Sequence, residues 1–380
     1  MQDTEPDQPW DVVVVGAGPA GATAARHAAL GGARVLLLDK AVFPRYKTCG
    51  GGIIGQSRRR LNDRALATIE ADLPEVGFSH RMGRVTRVRT EAPFVAMVDR
   101  ERFDQANVDA AQEAGVVFRD GANVRALADE DGRTRLTLSD GDELVARVVI
   151  GADGSGGRVG RYVGAVMAVT DLGLEVEVPR RPEDAATGVL LDWGPNPGTY
   201  AWVFPKAETL TVGVIEQKGH ADQTRRYLDD WIERLGLHPT DQDRSSGHLT
   251  QWRTGDSPLR SGTVLLAGET AGLLEPWTRE GISFALRSGE WAGTAAAAHV
   301  AGDRAALDRY ESQVRAELVP EIDAGAQLLR VFTRFPAGFH FLISKTPFGR
   351  GYFVRFCRGE TTLARAFRHR WVRKVTGWLG

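Results

Sequence analysis

The chain has 380 residues, 48 Lys and Arg against 49 Asp and Glu, and 42% hydrophobic residues. This is an ordinary water-soluble composition, long enough for two domains, and its near-neutral balance gives no whole-molecule case for a nucleic-acid partner. Two cysteines, Cys49 and Cys357, exclude a disulfide scaffold and point to a reducing, cytoplasmic setting.

The N-terminus, MQDTEPDQPW, is acidic and polar, unlike a secretory leader, and residues 1–9 read as a flexible tail. DVVVV at 11–15 is a β-branched run of the kind buried on both faces of a parallel sheet. GAGPAGATAARHAALGG follows, placing Gly16, Gly18 and Gly21 in a GxGxxG pattern ahead of an alanine-rich helix. A second buried strand, ARVLLLDK, ends at Asp39 and Lys40. In such a unit Gly16 permits the tight turn, Gly18 lets backbone approach a pyrophosphate, and Gly21 allows close helix–strand packing. The helix N-terminus attracts phosphate charge, and Asp39 accepts hydrogen bonds from a ribose. An acid rather than a base at that position argues against a 2′-phosphate, leaving FAD and NAD.

FPRYKTCGGG at 43–52 sets Cys49 beside three glycines, Gly50, Gly51 and Gly52, where backbone must lie flat against something large. RERFD spans 100–104. ARVVIGADG at 146–154 is another buried strand closing on Asp153 and Gly154. Residues 186–216 hold three strand-like pieces. In the second, the period of two sets Tyr200, Trp202 and Phe204 on one face, either a wall for a substrate tunnel or an ordinary core face between sheet and helices; Lys206 reads as a solvated strand end. TVLLAGETAGLLEPWTREGI at 263–282 repeats the strand, small-residue turn and helix start. Strands ending in such turns across 280 residues imply a ligand touched along its length, which suits FAD better than NAD.

Taken together, DKAVFPRYKTCGGG, RERFD, IGADGS, YAWVFPK and GETAGLLEP resemble the geranylgeranyl reductases within the p-hydroxybenzoate-hydroxylase-like flavoproteins. The resemblance implies an α/β fold: a Rossmann-like FAD-binding domain, an inserted antiparallel substrate sheet, and a helical C-terminus. The expected division is 10–78, 99–165 and 255–300 for FAD, 79–98 and 166–254 for the sheet, and 301–380 for the helices. It places Gly16, Gly18, Gly21, Asp39, Lys40, Arg100, Asp153, Gly154, Glu269, Gly281 and Ile282 against the cofactor. Cys49, Gly50 and Gly51 fall beside the flavin ring, with Cys49 as proton donor, positioning group or simple filler of the loop. No metal is expected.

The implied reaction is saturation of an isolated alkene in a prenyl chain. Hydride would come from N5 of the reduced flavin, and NAD(P)H or another reductant would replenish it. The family pattern is not kept throughout. Glu269 replaces an aspartate, Arg279 takes the first glycine of PxxGxG, and the S-x-V-R after Asp153-Gly154 becomes Gly157-Arg158-Val159-Gly160. At Arg279 the side chain either collides with the ring or sets a cation at its N1–O2 edge. Two other readings stand beside the reductase: a monooxygenase or halogenase on the same fold, against which the absence of a full WxWxIP counts, and a non-catalytic prenyl-lipid or partner binder. From 350 to 374 eight cations face one acid, Glu360. Leu363, Phe367, Trp371, Val375 and Trp378 recur at helical spacing, so a basic C-terminal helix is expected either at a lipid interface or docked on the domain. Oligomeric state is not legible.

Overall fold

The computed structural model describes residues 8–181 and 188–368. The opening β-branched run forms the strand Trp10–Val15, with Val12–Val14 fully buried, because parallel neighbours pair with it on both sides: Glu143–Gly151 and Val35–Leu38. Val264–Leu266 and Val117–Arg119 extend this sheet in parallel, and Arg260–Ser261 closes one edge antiparallel. Val124–Glu130 and Arg133–Leu138 attach as an antiparallel meander on Glu143–Gly151.

The helix Pro19–Leu30 buries its alanines because a second helix, Ile282–Val300, lies almost against its backbone. A Cβ at Gly289 would fall 2.3 Å from the Ala20 carbonyl oxygen, and one at Gly293 2.1 Å from that of Ala24. This seam of small residues fixes the N-terminal ends of both helices at the same end of the sheet.

The second sheet has seven strands. Its order is Arg244–Arg253, Met167–Pro179, Thr209–Gln217, Tyr200–Pro205, Val189–Trp193, Glu75–His80 and Thr86–Arg89. It is antiparallel except where Val189–Trp193 runs parallel to Glu75–His80, since those two strands belong to segments more than a hundred residues apart rather than to one hairpin. The alternation in Tyr200–Pro205 sends Ala201 and Val203 into a core with Tyr227, Leu228 and Trp231 of the helix Ala221–Arg234, leaving the aromatics on the other face. Gly52–Ile53, Val95–Val98 and Ile69–Leu73 make a small third sheet between the two large ones.

The C-terminal helices Val319–Arg334, Pro336–Lys345 and Pro347–Cys357 pack Phe332, Phe339, Phe353 and Phe356 into a core with Val76, Phe78 and Trp193 of the second sheet. A short helix, Leu363–Phe367, follows. The expected basic helical face through Trp371, Val375 and Trp378 lies outside the described residues. None of the described helices is long and apolar enough to cross a membrane.

Candidate functional site

A cavity of about 900 Å³ lies between the two large sheets. Gly16, Gly18, Asp39, Lys40, Asp153 and Gly154 line one end of it. Val76, Val95, Met97, Val189, Leu191 and Trp193 line another, with Phe353 and Cys357 beside them. The glycine-rich cysteine loop lies on its wall as well.

At the first end the three glycines divide by cause. Gly16 has φ +101°, and a Cβ there would meet the Ala152 carbonyl oxygen at 2.2 Å; one at Gly21 would meet that of Gly16 at 1.7 Å. Both are fixed by the protein's own packing, and Gly21 does not line the cavity. A Cβ at Gly18 would find only Arg45 Nη2, 3.7 Å away, so this glycine keeps open space on the cavity side. Asp39 accepts from the Ala17 and Ala41 amides at 2.8 and 2.9 Å, which turns its carboxylate towards the start of the helix. Asp153 accepts from the Val159 amide, its Oδ1 has no partner, and burial pushes its pKa up. Gly157 is glycine because a Cβ would strike that Oδ1 at 2.2 Å.

Arg45, unassigned from sequence, sits over Gly18. Its Nη1 lies 3.1 Å from Asp104 Oδ2 in a geometry that makes no hydrogen bond, so a buried donor is left unsatisfied. Arg100 turns back onto its own helix, donating twice to Asp104 at 2.9 and 2.8 Å. Burial opposes its charge, yet Asp104 and the hydrogen-bonded Cys49 hold its pKa above the ordinary arginine value.

The cysteine loop is anchored from the second sheet. The Cys49 amide and the Tyr46 hydroxyl both donate to Glu175 Oε1 at 2.9 Å, while Glu175 Oε2 is buried without a partner. Burial raises the Glu175 pKa. Cys49 Sγ accepts from the Gly51 amide at 3.4 Å. What lies flat against Gly50 is Phe204: a Cβ there would come within 2.3 and 2.4 Å of Cδ2 and Cε2 of the ring. Lys47 also lines the cavity; burial first, and the like charges of Arg100 and Arg45, bring its pKa down to about 8 against the pull of Glu269 and Cys49.

Glu269 is held by the strand Arg244–Arg253, accepting from the Gln251 amide at 3.1 Å and lying 3.4 Å from His248 Nε2. Gly281 and Ile282 line the cavity at the start of the long helix, and Glu280 stands beside them. Glu280 Oε1 accepts from the Ser283 amide at 2.6 Å. Burial, with Glu275 and Glu321 nearby, pushes its pKa up to about 8 despite Arg287.

Arg279 lines the cavity with its backbone at a glycine-like φ of +56°, and its guanidinium meets the sheet, where Asp171 receives Nε at 2.9 Å and the Trp277 and Gly198 carbonyls accept from Nη1 and Nη2. Tyr200, Trp202 and Phe204 all line the cavity, neighbouring rings 5.9 and 6.1 Å apart, and Tyr200 donates to the Thr278 carbonyl at 2.8 Å. Lys206 is not a solvated end. It is 2% exposed and pairs with Glu177 at 2.8 Å, because the strand delivers it under the cysteine loop rather than to the surface.

The profile of the FAD binding domain family matches residues 9–319. The geranylgeranyl diphosphate reductase of Rhodobacter capsulatus is 32% identical over 303 residues, 76% of this chain and 75% of its own. The chain belongs to the geranylgeranyl reductase family of FAD-dependent oxidoreductases. The menaquinone reductase of Mycobacterium tuberculosis is 31% identical over 320 residues, 75% of this chain and 76% of that one. A geranylgeranyl bacteriochlorophyll reductase-like protein from Thermoplasma acidophilum shares the fold, with a TM-score of 0.78 over 98% of this chain and all of its own at 21% identity.

The residues present fit the family's cofactor. Gly18 keeps the space a phosphate needs, the unsatisfied Arg45 Nη1 is a ready donor for an anion, and Asp39 stands at the ribose distance along the chain. Sequence reasoning missed Arg45, Lys47, Glu175 and Glu280. The first two lay inside the quoted FPRYKTCGGG, where two cations spaced i, i+2 already marked a cationic loop; the acids gave no signal, since only the fold turns them inward.

Proposed function

We propose that this protein reduces isolated carbon–carbon double bonds of a prenyl chain. The observation that carries the reading is the single cavity in which a dinucleotide cradle and an apolar, aromatic-walled compartment are continuous. The names of the relatives, geranylgeranyl diphosphate reductase and menaquinone reductase, favour a prenyl diphosphate or a prenylated quinone as substrate.

An isolated alkene has no carbonyl to take up developing negative charge, so proton delivery must precede or accompany hydride addition. When bound, FAD supplies the hydride and is recharged by NAD(P)H or another donor. The chain supplies the rest. Gly18, Asp39 and Arg45 would hold the dinucleotide, and Arg100 and Glu269 would lie along its ribityl stretch. The compartment from Val76 to Trp193 excludes water and aligns the alkene. Trp202 and Tyr200 offer π faces to cationic character on the more substituted carbon. Lys47 and Glu280 are the candidate general acids, both titrating near neutrality, where a general acid works best, and Cys49 lines the same cavity.

The test is anaerobic incubation of the FAD-loaded, dithionite-reduced protein with geranylgeranyl diphosphate and with a prenylated quinone, read by mass spectrometry. A gain of H2 for each double bond reduced is the expected result. In a parallel incubation under air with NAD(P)H, hydroxylated product and oxygen consumption would assign the site to a monooxygenase, and a protein that FAD cannot colour would end the reading.

A further inference from the structure

The C-terminal helices have an inner face that belongs to the core and an outer face the core does not use. In Pro336–Lys345, Phe339, Ile343 and Ser344 are buried, while Ala337, Gly338, Phe341, Leu342 and Lys345 are exposed. A surface helix ordinarily carries polar residues on its outer stripe; this one carries Ala, Gly, Phe and Leu, closed by a lysine. Phe341 is 62% exposed and Leu342 41%, with Phe335 at 41% just before the helix and Phe348 at 61% just after it. Other exposed apolar residues, such as Leu30, Val85 and Val117, are scattered along the chain, and single ones need no explanation.

Charge marks the same segment. Residues 324–359 contain no Asp or Glu but carry Arg330, Arg334, Lys345, Arg350, Arg355 and Arg358. Arg330, Arg334 and Lys345 are exposed, as is Arg355, which lies 3.7 Å from Glu360 just beyond the segment. Glu75, on an adjoining strand, is already paired with Arg87 at 2.7 Å.

We propose that this face seats the protein on an anionic lipid bilayer, with Phe341 and Leu342 among the acyl chains and the cations over the headgroups. A second copy is the poorer occupant, because a symmetric contact would press two surfaces with an excess of cations together. The inner side of the same layer reaches the active compartment: Phe353 and Cys357 line the cavity. A lipid-borne chain therefore has only one layer of helices to cross.

The experiment is flotation of the full, FAD-loaded chain with phosphatidylcholine vesicles, with and without phosphatidylglycerol. Wild type floats with the anionic vesicles, and roughly 1 M salt weakens it, since the Debye length there is about 3 Å. The F341S/L342S variant, altered only at exposed positions, loses binding by roughly tenfold with an unchanged thermal midpoint, whereas V117S binds as wild type does. No flotation of wild type, or equal flotation of F341S/L342S, overturns the proposal. So does a dimer that F341S/L342S disperses without vesicle binding, which assigns the face to a second copy. The readout needs no turnover, so failure to reduce an alkene leaves it standing.

Discussion

Gly50→Ala is the perturbation that tests why the cysteine loop is built of glycine. Gly50 is not in the left-handed region, so the cost of a side chain there is overlap alone. The added carbon would sit 2.3 Å from Phe204 Cδ2 and 2.4 Å from Cε2. Carbon contacts are favourable from about 3.5 Å, so loop and ring must separate by about 1 Å. The ring cannot simply yield, because Trp202 lies 6.1 Å away, centroid to centroid, on one side. The loop cannot simply lift either, because the Cys49 amide is bound to Glu175. Overpacking of this kind costs about 1–3 kcal/mol. Gly50→Ala should therefore lower the thermal midpoint measurably, and Phe204→Leu, which removes the colliding ring atoms, should restore part of it in the double variant. A double-mutant cycle should show coupling of about 1 kcal/mol or more. If G50A is as stable as wild type, or if the two changes add without coupling, Phe204 is not the reason for the glycine.

The other two glycines of interest should separate stability from ligand binding. Gly18→Ala keeps the unfolding free energy within about 0.5 kcal/mol but weakens FAD binding in a flavin-fluorescence titration, whereas Gly21→Ala, with its carbon 1.7 Å from a carbonyl oxygen, fails at folding. Equal effects of the two would sink the distinction. Glu280 has its pKa raised to about 8, so the folded state holds a proton that the unfolded chain releases, and stability falls as pH rises from the ordinary carboxylate range to about 8. The drop is roughly 2–5 kcal/mol; Glu280→Gln, which keeps the acceptor for Ser283, should flatten it in urea melts of the apoprotein, and an unchanged slope would count against the buried acid. Arg279→Ala strands the buried Asp171 and should cost about 3–5 kcal/mol, partly recovered by adding Asp171→Asn; no recovery would mean that the loss comes from the turn and not from the charge.

The dinucleotide unit was legible because each requirement there is local. A β-branched strand, glycines at fixed spacing and a terminal acid lie within thirty residues, and no distant residue is needed to read Gly16 or Asp39. The aromatic face was legible for the same reason, since a period of two is a property of one strand. The pairing of Arg279 was not legible because its partner, Asp171, is 108 positions away. Lys206 was misread likewise: a lysine after a strand is ordinarily solvated, and only the pairing across to Met167–Pro179 shows that Glu177 waits beneath it. The outward Phe341 fell between the motifs altogether, in a helix whose apolar residues run round both faces and so give no amphipathic signal.

One strand explains why these misreadings cluster. Along Met167–Pro179, DLGLEVEVP alternates, with Leu174, Val176 and Val178 packed towards the helix Ala221–Arg234 and Asp171, Gly173, Glu175 and Glu177 in step between them. Asp171 and Glu175 are each only 1% exposed, so neither would be tolerated there without a partner. Each carboxylate rung holds a different segment of the chain. Asp171 takes Arg279 of the turn before the long helix, Glu175 takes Tyr46 and the Cys49 amide, and Glu177 takes Lys206, which itself lies 3.9 Å from Asp99 at the head of the helix Arg100–Glu113. Gly173, the rung without a carboxylate, lines the cavity. The two large sheets are thus joined around the site by directional polar contacts, which fix the angle between them more narrowly than an apolar seam would.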